Sequence, residues 1–195
     1  DQQLASLAQA LSTPGALARR ELGRQLYGAH PYGQPADGLG DAKSLAALTP
    51  AMLRAAHDKW LRPDLARIVV VGDATMDQLL PMLEAAFGNW RAPADAKPVK
   101  GLEAPVPAPR PRIVLIDRPN SPQSVIVAGR VLPLTGRDQG QEALELANEV
   151  LGDGFLSRLN LDLREDKGWS YGVRSAVASP VGPRSFTISA PVQAD

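Results

Sequence analysis

The sequence predicts an α+β fold, with antiparallel sheets that carry helices on one face. Helix-like and strand-like segments occur in groups instead of in strict alternation, which disfavours a Rossmann-like parallel sheet. A Pro-rich stretch, RAPADAKPVKGLEAPVPAPRP, lies near the middle of the 195 residues, and its prolines exclude regular structure there. The sequence therefore predicts two half-domains, 1–91 and 112–195, joined by a Pro-rich linker over 92–111.

The half before the linker is predicted to be mostly helical. Pro14 suits the first position of a helix, because the N–H that proline lacks has no partner there. Arg67–Val71 is an apolar, β-branched run and is predicted to be a buried strand. Thr75 is predicted to cap a further helix, with core-facing residues Leu79, Leu80, Leu83 and Phe87. The other predicted helices are Gln2–Leu11, Ala16–Tyr27, Asp41–Leu48 and Pro50–Leu61.

The half after the linker is predicted to run in the order strand, strand, helix, helix, strand, strand. Ile113–Asp117 and Gln123–Val131 are apolar runs separated by turn residues. Leucine and alanine at helical spacing predict a helix over Asp138–Leu151. Tyr171–Val177 and Phe186–Val192 alternate with the strand period and are predicted to form a hairpin.

The stretch LGDGFLSRLNLDLREDKGWSYG carries the most informative pattern. Ser157 is a favoured N-cap residue, Lys167 suits a final helical turn, and Gly168 fits the left-handed position that follows. The apolar face of this helix is predicted to consist of Leu156, Leu159 and Leu163. Arg164 and Tyr171 then flank a helix-to-strand turn and could offer a forked guanidinium and a hydroxyl to one ligand. The alternative is structural: an arginine that caps carbonyls and a tyrosine half-buried on a sheet.

Composition excludes several classes of function. The 21 basic and 21 acidic residues balance, which argues against a nucleic-acid partner. Cysteine is absent from the sequence, so disulfides, thiol catalysis and zinc ribbons are excluded. A run of about 18 apolar residues, as a membrane span requires, is also absent.

Four stretches in register resemble the pitrilysin-type (M16, insulinase-like) zinc metallopeptidases. They are LGDGFLSRLNLDLREDKGWSYG, HPYGQPADG, LTPAMLRAAHDKWLRPDLARIVVVGDAT and FGNW. The resemblance implies that 1–91 is the end of the first domain of such a protein and 112–195 the start of its second, inactive domain. The chain is therefore expected to be an excised middle segment.

The resemblance implies zinc in the parent protein, bound outside this segment. The inverted His-x-x-Glu-His motif of the family is missing, because the two histidines, His30 and His57, each lack a second histidine at helical spacing. We expect His30 to be a turn residue and His57 a partly exposed helix residue. The segment alone is expected to be inactive.

By the same resemblance, Arg164 and Tyr171 would bind the backbone of a peptide substrate or the developing oxyanion. Gln123 and Ser124 lie on a strand that could pair with an extended substrate. Phe155 and Trp169 are expected to be core residues.

Two alternatives remain open. The protein could be a non-catalytic partner of a catalytic M16 subunit, or an assembly subunit. It could also be a peptide-binding module unrelated to proteolysis. A periplasmic location is expected from the resemblance alone.

Overall fold

Three antiparallel strands form the sheet of this chain. A computed structural model describes residues 1–193, and β1 (Gln123–Thr135), β2 (Arg174–Val177) and β3 (Pro183–Gln193) lie side by side in the order β1-β3-β2. β2 and β3 form the predicted hairpin, in which Val177 pairs with Phe186. The predicted α+β fold with an antiparallel sheet is confirmed.

The helices include α1 to α7 and several shorter turns. Two helix-like segments, Glu149–Asp153 and Leu161–Asp166, have the wider π-helical geometry, and each directly follows an α-helix. Two short 3₁₀ turns cover Pro31–Gly33 and Pro63–Leu65. The α-helices are α1 (Gln2–Ser12), α2 (Pro14–Tyr27), α3 (Ala42–Ala47), α4 (Pro50–Trp60), α5 (Met76–Phe87), α6 (Gln141–Asn148) and α7 (Arg158–Asn160). Pro14 begins α2, as predicted.

The chain divides into two compact units. The first comprises Asp1–Leu45 and the chain from Gly101 onward, and it contains the whole sheet. In this unit α2 packs against β1 at Gly129, where a Cβ atom would lie 3.2 Å from side-chain atoms of Leu22 and Leu26. The absence of a side chain at this one position therefore lets the helix approach the sheet.

An aromatic cluster fixes the loop after α2 in the first unit. The Tyr27 hydroxyl donates to the Pro183 carbonyl at 3.0 Å, and the Gly182 N–H donates to the Tyr32 hydroxyl at 3.1 Å. The ring of His30 packs against both tyrosines, with its centroid 5.7 Å from that of Tyr27 and 4.9 Å from that of Tyr32. Burial raises the pKa of Tyr27 above its usual value. These contacts join the loop to the start of β3.

The second unit, Ala46–Lys100, contains α4 and α5. Arg62 is buried there and donates to both carboxylate oxygens of Asp64, at 2.6 and 2.9 Å, and to the carbonyls of Pro93 and Asp95. A single guanidinium thus holds the chain that follows α5 against the turn that follows α4.

Two predicted strands are wrong. Neither Arg67–Val71 nor Ile113–Asp117 is a strand, and Val71 and Ile113 are almost fully exposed. A strand exists only when it is paired, and within residues 1–193 neither segment has a partner strand. Their apolar, β-branched composition favours a strand, but neither segment forms one because neither is paired within residues 1–193.

Some predicted core contacts are also wrong. Leu80 and Phe87 of α5 are about half exposed, and Leu156 is 76% exposed. Ser157, which precedes the helix, and Asn160, within it, are the buried side chains instead.

Among residues 1–193, none of the helices is both long and apolar enough to cross a bilayer.

Candidate functional site

The structure brings Arg164 and Tyr171 together and adds Phe155 to them. The Cζ atom of Arg164 lies 6.0 Å from the ring centroid of Tyr171 and 4.6 Å from that of Phe155. Both distances lie within the range in which a cation is attracted to the face of an aromatic ring. We call Phe155, Arg164 and Tyr171 the arginine site.

The hydrogen-bonding groups of the arginine site remain available. Within residues 1–193, the charged partner of Arg164 is its neighbour Glu165, whose Oε1 lies 3.4 Å from the Arg164 Nε. This contact involves Nε, so the two terminal nitrogens can still donate to a ligand in the fixed geometry of a guanidinium. Tyr171 is 92% exposed, which leaves its hydroxyl open to the same ligand.

Helix geometry determines where Arg164 lies. The α-helical turn Arg158–Asn160 widens into the π-helical segment Leu161–Asp166, which contains Arg164. Such π segments are rare and occur frequently at functional sites. The helix ends at Gly168, which has the positive φ of 65° predicted for it, and the Trp169 N–H donates back to the Leu163 carbonyl at 3.0 Å.

Buried neighbours fix the backbone of Tyr171. Ser170 is 7% exposed, and its hydroxyl donates to the Pro191 carbonyl at 2.6 Å and accepts the Gly172 N–H at 3.2 Å. Ser170 also forms an isolated bridge with Val192 of β3. The exposed phenol is therefore carried by a backbone anchored to the sheet.

Phe155 and Trp169 are not core residues, so that prediction is wrong. They are 65% and 58% exposed, and each faces a cation: Arg164 in the first case, and the Lys167 Nζ at 5.5 Å from the ring in the second. The contact between a cation and an exposed ring is favourable for both side chains, so neither has to be buried. Helical periodicity did not predict the contact between Phe155 and Arg164, because Phe155 lies in the break between two helices.

Asn160 is the second residue that sequence reasoning missed. It is 5% exposed, its Nδ2 donates to the Phe155 carbonyl at 2.7 Å, and its Oδ1 accepts the Val173 N–H at 3.1 Å. The available signal was an amide one helical turn before Arg164, among the leucines of the motif.

Gln123 and Ser124 lie at the start of β1, which is an outer strand of the sheet. They pair with Gln193 and Val192 of β3, and the other side of Val192 bridges Ser170. Two strand spacings therefore separate Ser124 from Ser170, about 10 Å across the sheet.

The two histidines have different environments. His30 is 1% exposed, its Nδ1 accepts the Tyr32 N–H at 3.1 Å, and its Nε2 lies 3.2 Å from the Leu102 carbonyl. Because Nδ1 accepts, the proton is on Nε2, and both ring nitrogens are engaged. His57 on α4 is exposed, as predicted, and its Nδ1 lies 2.9 Å from the Asp58 carboxylate.

Zinc binding depends on how the ligand side chains of the described residues are grouped. Within residues 1–193, no three His, Cys, Asp or Glu side chains are placed to hold a metal ion. Tetrahedral protein zinc sites need three or four such ligands.

A groove between α6 and β2 lies away from the arginine site. It has a volume of about 670 Å³ and is lined by Glu142, Glu145 and Glu149 among others. The members of the arginine site do not line it, so that site is an open surface with a central cation.

Comparisons with known proteins identify relatives of this chain. Residues 47–195 match the sequence profile described as the peptidase M16 inactive domain. An uncharacterized zinc protease of Mycobacterium tuberculosis is 30% identical over 161 residues, which are 78% of this chain and 34% of that protein. The uncharacterized zinc protease YmxG of Bacillus subtilis is 31% identical over 157 residues, 79% and 35% of the two chains. The chain thus spans about a third of the length of these relatives.

Solved structures share the fold. The crystal structure of a peptidase M16 inactive domain from Pseudomonas fluorescens superposes with a TM-score of 0.76 at 27% identity, over 99% of this chain and 45% of that one. A protease from Helicobacter pylori gives a TM-score of 0.73 at 20% identity, over 87% and 40%. The second match shows the fold alone.

Proposed function

Since this chain belongs to the peptidase M16 inactive-domain family, we propose that it is the part of a zinc-dependent M16 endopeptidase that binds extended peptide substrate. The resemblance drawn from the motifs is confirmed at the level of the family, and relatives of the chain are named zinc proteases. The zinc would be held by residues of the parent protein other than those described here.

The observation that carries the proposal is the pair of free donors at the arginine site. Arg164 keeps its charge at all working pH values, and its two terminal nitrogens suit a planar acceptor such as a peptide carbonyl or carboxylate. The hydroxyl of Tyr171 can donate to the same oxygen or to the next carbonyl along an extended peptide.

These donors would speed the reaction if they bind the transition state more strongly than the substrate. A carbonyl oxygen gains negative charge as its carbon is attacked, so a donor already in place stabilises the transition state more than the substrate. Removal of one such donor typically lowers turnover by about 10²–10³. Arg164 would chiefly bind and orient the substrate, because a cation also attracts the uncharged carbonyl dipole.

Tyr171→Phe and Arg164→Lys in the full-length protein test the proposal with an internally quenched peptide. We expect a large loss of turnover for Tyr171→Phe and a raised KM for Arg164→Lys, with unchanged zinc content in both. Arg174→Lys is the matched control, because Arg174 is an exposed arginine of β2 whose partner is Asp153. Turnover within twofold of wild type for Tyr171→Phe would exclude its role.

The same measurements separate the alternative of a non-catalytic partner. In that case the full-length protein holds no zinc and cleaves nothing alone, but Arg164→Lys still weakens its binding of a labelled peptide. A protein that binds no extended peptide at all would contradict both functions.

A further inference from the structure

Asn160 hydrogen-bonds the backbone of Phe155 and of Val173, which follows Tyr171 by two residues, and we propose that it is the positioning residue for Arg164 and Tyr171. This inference rests on the function proposed above. Asn160 would not touch the peptide: it would act by fixing the backbone segments from which the binding side chains project.

The two ends of the Asn160 amide bond backbone groups that precede and follow Arg164 in the chain. Its Nδ2 donates to the carbonyl of Phe155, whose ring lies against the Arg164 guanidinium. Its Oδ1 accepts the N–H of Val173, two residues after Tyr171. Arg164 itself follows Asn160 by four residues in the same run of helix, so one buried side chain connects this helix to the backbone near the other two members of the site.

Burial makes the hydrogen bond to Val173 the stronger constraint of the two. Asn160 is 5% exposed and Val173 2% exposed, so water cannot readily replace the Val173 N–H as the partner of the amide oxygen. A buried donor or acceptor that loses its partner carries a desolvation cost, which keeps the amide in this arrangement.

Asparagine is the residue type that the arrangement requires. The amide offers a donor to one backbone carbonyl and an acceptor to one backbone N–H at the same time. An aspartate could still accept from Val173, but its second oxygen would face the Phe155 carbonyl without a proton between them. Leucine would satisfy neither group.

A second buried asparagine provides a matched control. Asn148 is 6% exposed; its Oδ1 accepts the Ser175 hydroxyl at 2.7 Å and its Nδ2 donates to the Ser175 carbonyl at 3.4 Å. It joins a helix to β2 much as Asn160 joins a helix to the turn before β2. Its partner Ser175, however, is neither Phe155 nor Val173, the two residues whose backbone Asn160 holds before and after Arg164 in the chain.

The test compares Asn160→Ala, Asn160→Asp and Asn148→Ala in the full-length protein. Thermal unfolding and the kcat and KM for an internally quenched peptide are measured for each, well below the melting temperature of the least stable variant. We expect similar losses of thermal stability at the two asparagines, but a fall in kcat/KM of at least tenfold only at Asn160. Asn160→Asp, which sets a carboxylate oxygen against the Phe155 carbonyl, should lose at least as much kcat/KM as Asn160→Ala.

A double-mutant cycle distinguishes a positioning residue from a residue with a merely structural role. If Asn160 acts through Tyr171, the losses from Asn160→Asp and Tyr171→Phe are not additive, whereas those from Asn148→Ala and Tyr171→Phe are. Equal losses of kcat/KM at Asn148 and Asn160, or additive losses in both cycles, would overturn the positioning role alone. If Tyr171→Phe and Arg164→Lys also leave catalysis and peptide binding unchanged, the proposed function is overturned with it.

Discussion

The side chains of Phe155 and Arg164 are stacked, with the Cζ atom of Arg164 4.6 Å from the centre of the Phe155 ring. The contact orders a long side chain without using any of its N–H donors, because the face of a ring interacts with the cation itself. Arginine loses about 2 kcal/mol of rotamer freedom when it is fixed, so an arginine that is ordered in advance binds its ligand at a smaller entropic cost.

Phe155→Leu should therefore weaken peptide binding, and Phe155→Trp should preserve or strengthen it. An exposed cation–ring contact contributes about 0.5–1 kcal/mol, which corresponds to a two- to fivefold rise in the Kd or KM. Titration of a labelled peptide into the full-length protein measures the change. Leu156→Ala is the control, since Leu156 is an exposed neighbour of Phe155 in the sequence and has no aromatic ring that a cation could face. Equal affinity for the Leu and Trp variants would show that the ring has no ordering effect.

Gly152→Ala should destabilise the protein by about 1–3 kcal/mol. A Cβ atom there would lie 2.4 Å from the Ser175 Oγ and 2.9 Å from the Leu159 Cδ1, so the helix and β2 would have to separate. Gly72→Ala is the control, because no atom lies within 4 Å of a Cβ at that position. Urea unfolding measures both variants, and a loss no larger than that of Gly72→Ala would contradict the close approach.

Ser157→Ala should be neutral or slightly stabilising. Ser157 occupies the predicted N-cap position, but its hydroxyl caps nothing: it is buried and has no hydrogen-bond partner within residues 1–193. Removal of a buried, unsatisfied hydroxyl removes its desolvation cost. Thr49→Ala, by contrast, should cost about 1 kcal/mol, because the Thr49 hydroxyl accepts the Met52 N–H at 3.3 Å. Comparable losses of thermal stability for Ser157→Ala and Thr49→Ala would show that the Ser157 hydroxyl does cap its helix.

Asp37→Asn should lower stability at neutral pH by about 1–3 kcal/mol, and the loss should shrink in acid. Hydrogen bonds from the Leu39 N–H and from the Arg20 guanidinium hold the pKa of Asp37 below its usual value. A carboxyl group with a lowered folded-state pKa stabilises fully above its unfolded-state pKa, near 4. The contribution disappears as the pH falls through the folded-state value.

Urea unfolding of wild type and Asp37→Asn between pH 7 and pH 2 measures this difference. Asp73→Asn serves as the control, because Asp73 has no ion pair within residues 1–193. A difference between wild type and Asp37→Asn that stays constant down to pH 2 would contradict the assignment.

Local signals predicted the elements that depend on local geometry. Pro14 begins α2, Gly168 ends the helix that carries Arg164, and the hairpin of β2 and β3 forms where alternation and turn residues indicated. The proximity of Arg164 and Tyr171 followed from that same short turn.

Features that depend on distant contacts were not predictable in this way. Whether Arg67–Val71 becomes a strand is decided by a partner strand, which the composition of the segment does not specify. Asn160 is buried and Leu156 exposed just before a π-helical segment, Leu161–Asp166, whose geometry departs from the regular α-helical period. Regular α-helical periodicity predicted the opposite for Leu156.

The two apolar segments without partner strands affect how the protein behaves in solution. Arg67–Val71 and Ile113–Asp117 are rich in β-branched residues, carry little net charge, contain no proline and expose Val71 and Ile113 almost completely. Segments of this kind stack readily into intermolecular cross-β aggregates. The chain on its own should therefore precipitate in a concentration-dependent manner, and a single lysine in place of Val71 or Leu115 should raise the concentration at which it stays dissolved.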